Sequence, residues 1–266
     1  MIARRSVRQV GCALLIITAL GCACAWAADV VDTIARVKPS VVGIGTFERT
    51  RAPPFQFRGT GFAVGDGSVI VTNAHVLPTA LDTARGETLA ILLPSPDGAT
   101  TVREVTRLAT DYGTDLALVK LTGAPLPALK LRDSALAREG QDVLLTGYPI
   151  GAVLGPVPAT HRGMISAITP IAIPQGRAND LDAAVIRRLS SGPLLVFQLD
   201  ATAYPGSSGS PIYDPATGDV FGIVNMVFVK STKETALSQP SGITYAIPSR
   251  HLQALLASVG SPQAAK

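Results

Sequence analysis

Ala203-Tyr204-Pro205-Gly206-Ser207-Ser208-Gly209-Ser210-Pro211 sets a serine between two glycines, behind a Pro-Gly pair and ahead of the apolar run Pro211–Tyr213. Gly206 and Gly209 let the backbone turn sharply and come close to another molecule. A turn of this kind can aim the N–H groups of Gly206 and Ser208 at one point, where an oxyanion would be held. Gly, Ser and Pro in this density also describe an ordinary surface turn. What the stretch means therefore depends on two others.

The first is Thr72-Asn73-Ala74-His75-Val76, which follows the apolar strand Ser68–Val71. The chain has three histidines. His161 and His251 read as structural, whereas His75 stands where a strand breaks into a turn and has partners in its context. The second is Thr114-Asp115-Leu116-Ala117-Leu118-Val119-Lys120-Leu121, with one acid at the head of an apolar strand. Asp115 is either a turn-capping residue or the buried carboxylate that fixes an imidazole tautomer and steadies the imidazolium.

Around these stretches the chain is cut into short Val-, Ile- and Thr-rich runs separated by turn residues. Six are Val41–Phe47, Thr60–Val64, Ser68–Thr72, Thr88–Leu93, Thr101–Ala109 and Leu116–Leu121. After a loop over Thr122–Ala137 come Gln141–Gly147, His161–Ile168, Leu194–Leu199, Pro211–Tyr213, Val220–Val227 and Ile243–Ile247. Asp66-Gly67 and Gly218-Asp219 are tight-turn pairs. Twelve short strands without long helices between them predict an all-β fold of two packed six-stranded antiparallel β-barrels. The barrels are expected over about 41–135 and 138–247. Helical spacing predicts a short helix over Asp29–Lys38, carrying Val30, Val31, Ile34 and Val37, and a second over Ser249–Ser258 after Pro248. Pro170–Pro193 interrupts the strand rhythm and reads as a helical insertion or as a mobile loop gating a site.

Arg4, Arg5 and Arg8 precede the apolar run Cys12–Leu20, and Ala25-Trp26-Ala27 follows it, the pattern of a cleaved secretory leader over residues 1–27. The apolar run is too short for a membrane span. Leu20-Gly21-Cys22 hints at a lipoprotein site, but Ala19 is not the large aliphatic residue such sites carry, and a lipid anchor is disfavoured. The domain then occupies 28–266, exported to a periplasmic or extracellular space. All three cysteines and three arginines leave with the leader, no acid does, and the net charge falls from +4 to +1. That leaves no case for nucleic-acid binding. Scattered histidines give no metal-ligand spacing. Gly59-Thr60-Gly61 runs into a strand and not a helix, so no nucleotide cradle is read, and no cofactor is expected.

The order His75, Asp115, Ser208 is that of chymotrypsin-type proteases. Gly59–Val64 with Val69–Val76, Thr114–Lys120, Asp200–Pro211 and Gly242–Pro248 resemble the corresponding segments of HtrA/Deg-type trypsin-like serine proteases. The resemblance runs over about Asp29–Ser258. It implies Ser208 as nucleophile, His75 as general base and then acid, and Asp115 as its orienter. It implies the N–H groups of Gly206 and Ser208 as the oxyanion hole, with that of Ser207 close by. It also implies a polypeptide substrate and a primary pocket walled by Thr202, Ala203, Val224, Asn225, Met226, Gly242 and Thr244. None of these is acidic, so a basic side chain would be buried there without a counter-charge, and a small or medium aliphatic residue is expected before the cut.

Tyr204 and Ser207 stand where the family has Asn, and Ser210 where it has Gly. These departures leave Ser207 and Ser210 as lesser candidates for the nucleophile. They also keep two other readings open: a binding module that holds unfolded chains without cutting them, and a latent enzyme. The chain ends after its last helix, where the family commonly adds a PDZ domain. Related proteases often form trimers, and the short segment before Val41 leaves the oligomeric state open.

Overall fold

The computed structural model describes residues 30–94, 100–149, 157–171, 194–225 and 242–260. The expected leader at 1–27, nearly all of the expected Pro170–Pro193 insertion, Met226, which was expected in the pocket wall, and the tail after Gly260 lie outside them.

Each of the twelve runs contributes a strand. In the first half they are β1 (Val41–Phe47), β2 (Phe55–Val64), β3 (Val69–Asn73), β4 (Thr88–Pro94), β5 (Thr100–Asp111) and β6 (Leu116–Leu121). The second half holds β7 (Asp142–Gly147), β8 (Ala159–Ile171), β9 (Leu194–Asp200), β10 (Pro211–Tyr213), β11 (Val220–Asn225) and β12 (Ile243–Pro248). They close into two barrels, ordered β1-β2-β3-β6-β5-β4 and β10-β11-β12-β9-β8-β7. The two orders are the same topology, although the halves share no repeated sequence. Closure depends on strand count, tilt and stagger, so different residues can satisfy it twice.

Strand β2 begins at Phe55, five residues before the sequence reading, because beyond a bulge at Ile44/Gly45 it keeps pairing with β1 as far as Phe47↔Phe55. β8 likewise starts two residues earlier and runs on to Ile171, bending at an irregularity between Ile165 and Ala167.

Among the described residues three apolar clusters form, one inside each barrel and one between them. Strand β6 shows how a single run serves two of them. Alternate side chains of a strand point to opposite faces, so Ala117, Val119 and Leu121 fill the first barrel while Leu116 and Leu118 enter the joint between barrels. Val71, Tyr148, Tyr213, Ile223 and Ile247 share that joint. The inter-barrel linker adds Leu129, whose N–H donates to Ala63 C=O at 2.9 Å, while Arg132 N–H donates to Val220 C=O at 2.9 Å.

Helix α1 (30–37) packs Val30, Ile34 and Val37 on the same joint and leaves Val31 exposed, as a 3.6-residue period requires. Helix α2 (Ser249–Gly260) contributes Leu252. Thr33 Oγ1 donates to Ala216 C=O at 3.1 Å, so α1 is tied to the second barrel although β1 follows it directly.

The segment after His75 is clasped to the β1–β2 turn. Arg51 donates to Glu87 Oε1 at 2.9 Å and to Thr46 C=O at 2.8 Å, and Asp82 N–H donates to Glu87 Oε2 at 3.0 Å. The Thr46 hydroxyl, the Asp82 N–H and Arg51 together lower the Glu87 carboxyl from 4.5 to about 2. A depressed carboxylate stabilises the fold above its unfolded value and loses that contribution as pH falls through its folded one. Glu87→Gln is therefore expected to lower Tm by a few degrees at pH 7. Thermal melts should show the gap to wild type closing as pH drops from 4.5 toward 2.

Candidate active site

Strand β3 ends at Asn73, and a single 3₁₀ turn, Ala74–Val76, carries His75 out of the first barrel. Asp115 arrives from the β5–β6 turn. Asp111 shapes that turn by accepting from Gly113 N–H at 2.9 Å and Thr114 Oγ1 at 2.6 Å, an Asx-type closure. Asp115 then takes φ 56, a left-handed setting in which Asp is among the tolerated side chains.

That setting lets the carboxylate face back along the His75 turn. Asp115 Oδ2 lies 2.6 Å from His75 Nδ1, and Oδ1 accepts His75 N–H at 2.9 Å. The Asp115 C=O accepts from Ala74 N–H at 3.1 Å and from Asn73 Nδ2 at 3.0 Å. An ionised carboxylate only accepts, so the Nδ1–H tautomer is favoured and Nε2 is left as a base. The side chain of His75 is 31% exposed and that of Asp115 13%, an arrangement that leaves the imidazole open and shelters the acid.

A third donor to the Asp115 carboxylate comes from the other barrel: Asn225 Nδ2 donates to Oδ2 at 2.8 Å. From sequence, Asn225 was assigned only to the pocket wall. An amide reaching across a barrel joint leaves no local spacing signal by which to find it.

The serine stretch folds as two turns in series. Ser207 N–H donates to Tyr204 C=O at 2.9 Å, and Gly206 has φ 100. Proline cannot take positive φ, so with Pro205 at the preceding position this is a type II turn. Ser210 N–H donates to Ser207 C=O at 3.0 Å with Gly209 at φ 87, which puts Ser208 at the corner of a second such turn. Because Ser207 N–H closes the first turn, it is not available as an oxyanion donor, and the sequence reading is corrected there. Among the described residues, the N–H groups of Gly206 and Ser208 donate to nothing.

This loop lies directly against the first barrel. Thr60 N–H donates to Ser208 C=O at 2.8 Å. A Cβ at Gly59 would stand 2.7 Å from Val76 Cγ2 and 3.1 Å from Ser208 O, so the residue after His75 and the carbonyl of Ser208 press on the same glycine. The described residues contain no hydrogen bond between Ser208 Oγ and His75; in enzymes without substrate such bonds are often long and tighten on binding.

Of the lesser nucleophile candidates, Ser210 has no exposure and its Oγ is turned against Gly147, where a Cβ would be only 1.9 Å away. Ser207 and Ser208 are both buried, so burial does not separate those two. Tyr204 turns its ring to His161 on β8, with centroids 6.3 Å apart. Burial lowers the pKa of His161, whose Nε2 has no partner among the described residues.

Of the pocket residues, Ala203 and Val224 belong to the second barrel's core cluster. Thr202 is half-buried, Gly242 exposed, and Thr244 spends its hydroxyl on Ala201 C=O at 2.6 Å. Among the described residues no group of three His, Cys, Asp or Glu could hold a metal ion. Nor is any described helix long and apolar enough to cross a membrane.

Residues 59–223 match the family model of the trypsin-like peptidase domain, a span that encloses His75, Asp115 and Ser208. The chain belongs to this family. Among curated trypsin-like relatives it is 30% identical to serine protease HTR4 of Bos taurus over 239 residues, covering 86% of this chain and 40% of that one. Over 234 residues it is 32% identical to the mitochondrial serine protease HTRA2 of Bos taurus, covering 85% and 42%. A probable periplasmic serine endoprotease, DegP-like, of Pseudomonas savastanoi pv. phaseolicola is 30% identical over 206 residues, covering 77% and 35%. The chain thus spans less than half the length of these relatives.

Solved structures agree on the trypsin-like fold. The Rv3671c protease of M. tuberculosis, active form, superposes with TM-score 0.63 at 22% identity over 88% of this chain and 86% of that one. The HtrA-type protease AlgW, described with a tripeptide, gives TM-score 0.59 at 25% identity over 86% and 63%.

In this trypsin-like chain a methyl at Gly206 would resist the φ of 100 on which the donor turn depends. Gly206→Ala is expected to retain the fold by thermal melt while kcat falls about 10²–10³-fold, the effect its N–H would have as one oxyanion donor.

Proposed function

We propose that this chain is an exported serine endopeptidase that cuts peptide bonds through an acyl-enzyme formed on Ser208. The observation that carries the proposal is the His75–Asp115 pair at 2.6 Å, set beside a serine turn whose Gly206 and Ser208 N–H groups have no acceptor among the described residues.

The chemistry follows from that arrangement. His75 Nε2 takes the proton of Ser208 as its Oγ attacks the scissile carbonyl. Asp115 stabilises the imidazolium, and Asn225 steadies the carboxylate in turn. The developing oxyanion is held by the N–H groups of Gly206 and Ser208. His75 then gives its proton to the leaving amine, and water repeats the sequence to free the acid.

Two of the three departures that motivated a non-cutting binding module, Ser210 and Tyr204, have room in the fold, although the Ser210 hydroxyl has no hydrogen-bond partner among the described residues. The Ser210 side chain fits because Gly147 has no Cβ, and the Tyr204 ring is directed to β8. Export over a leader of residues 1–27 is in keeping with relatives described as periplasmic, and unfolded or damaged polypeptides are the proposed substrates.

A fluorophosphonate should label the mature protein on Ser208, and Ser208→Ala should abolish labelling without changing the thermal melt. Absence of labelling even with unfolded protein present would overturn the proposal. On a panel of peptides varied at the residue before the cut, Val, Ala or Ile should give the highest kcat/KM. Equal cleavage after Lys or Arg would refute the aliphatic pocket.

A further inference from the structure

Thr60, on β2 of the first barrel, is fully buried, and each of its polar groups is engaged. Its N–H donates to Ser208 C=O at 2.8 Å, and its C=O accepts from Thr72 Oγ1 at 2.7 Å. Its Oγ1 accepts Tyr148 N–H at 3.1 Å and lies 2.7 Å from Gly206 C=O. Both Gly206 C=O and Tyr148 N–H are fixed in role, one as acceptor and one as donor, so the hydroxyl proton must point to Gly206.

We infer that Thr60 is a positioning residue for the oxyanion turn, suspending the Gly206-Ser207-Ser208 segment from the first barrel by its two outer carbonyls. The inference rests on the reading of Ser208 as nucleophile. The segment carries both proposed oxyanion donors as well as the nucleophile. With the carbonyls of residues 206 and 208 pinned to one threonine, the segment cannot roll about its own axis. Those carbonyls lie in the 206–207 and 208–209 peptide groups, which flank the group carrying Ser208 N–H and adjoin the one carrying Gly206 N–H, so both donors are restrained through their neighbours when substrate arrives.

The hydroxyl also takes the first N–H after β7, so three segments from two barrels meet on one oxygen. Gly147 makes room for this: a Cβ there would lie 3.1 Å from Thr60 Oγ1. A hydroxyl so placed is better suited to orienting donors than to binding substrate, and its loss should appear in kcat more than in KM.

The test compares Thr60→Val, which keeps the shape and the backbone N–H but removes the hydroxyl, with Thr60→Ser, which restores it. Fluorophosphonate labelling rate, kcat, KM and the thermal melt are read for both, with Ser208→Ala as the zero. A fluorophosphonate places its phosphoryl oxygen where the oxyanion forms, so its rate reports on the donors directly.

Thr60→Val is expected to lower the labelling rate and kcat about tenfold to a hundredfold, the range for leaving one buried polar group unpaired. KM should stay within about twofold, an equal-binding outcome, and Thr60→Ser should recover most of the loss. A folded Thr60→Val that labels at the wild-type rate would overturn the inference, as would a folded Thr60→Ser impaired as deeply as Thr60→Val. Should Thr60→Val fail to fold, Thr60→Ser decides: near wild-type labelling supports the hydroxyl's role, and a deep loss refutes it. Failure of the wild type to label would remove the nucleophile reading first, and so is distinguishable from failure of Thr60 alone.

Discussion

The two closed barrels meet backbone to backbone where the serine loop lies against β2. Thr60 N–H reaches Ser208 C=O directly, a contact with no room for side chains between the strands. A Cβ at Gly209 would fall 2.0 Å from Thr60 O, and one at Gly59 would meet Val76 and Ser208. Gly209, which first read as freedom to turn, is thus equally needed for close approach. Gly209 serves both ends, since it also holds φ 87.

The same joint sets the electrostatics of the site. Asp115 is held by donors from both barrels, with His75 on one side and Asn225 on the other. A carboxylate pulled away from water is costly unless its oxygens are satisfied, and three hydrogen bonds meet that need. The left-handed backbone at Asp115 is a local strain accepted for this orientation. Apolar packing between the barrels supplies what such polar geometry alone cannot: Leu116 and Leu118, one and three residues after Asp115, anchor its strand in the shared core.

Departures from the resembled motifs are absorbed by specific neighbours. Ser210 carries a side chain where the family has none, and its hydroxyl is turned onto Gly147. Tyr204 replaces a small polar residue, and its ring faces His161. Burial lowers the His161 pKa, which disfavours the charged form of the ring that faces Tyr204. In each case the substitution in the loop is matched by a residue far off in sequence.

Sequence by itself determined the twelve strands, because alternating β-branched and apolar residues broken by Gly, Asp and Pro have few other uses. It also singled out His75 and Asp115 beside strand ends and Ser208 in a glycine-flanked turn. It placed Pro205-Gly206 and Gly209 where tight turns need them. The reach of Asn225 to Asp115, the closing of Ser207 N–H into the first turn and the gathering of three segments on Thr60 were decided only by tertiary structure. Each is a contact between residues or groups whose meeting depends on how two barrels dock and how a turn closes. The hydrophobic pattern specifies which face of a strand is buried, but not which distant polar group will be found opposite it.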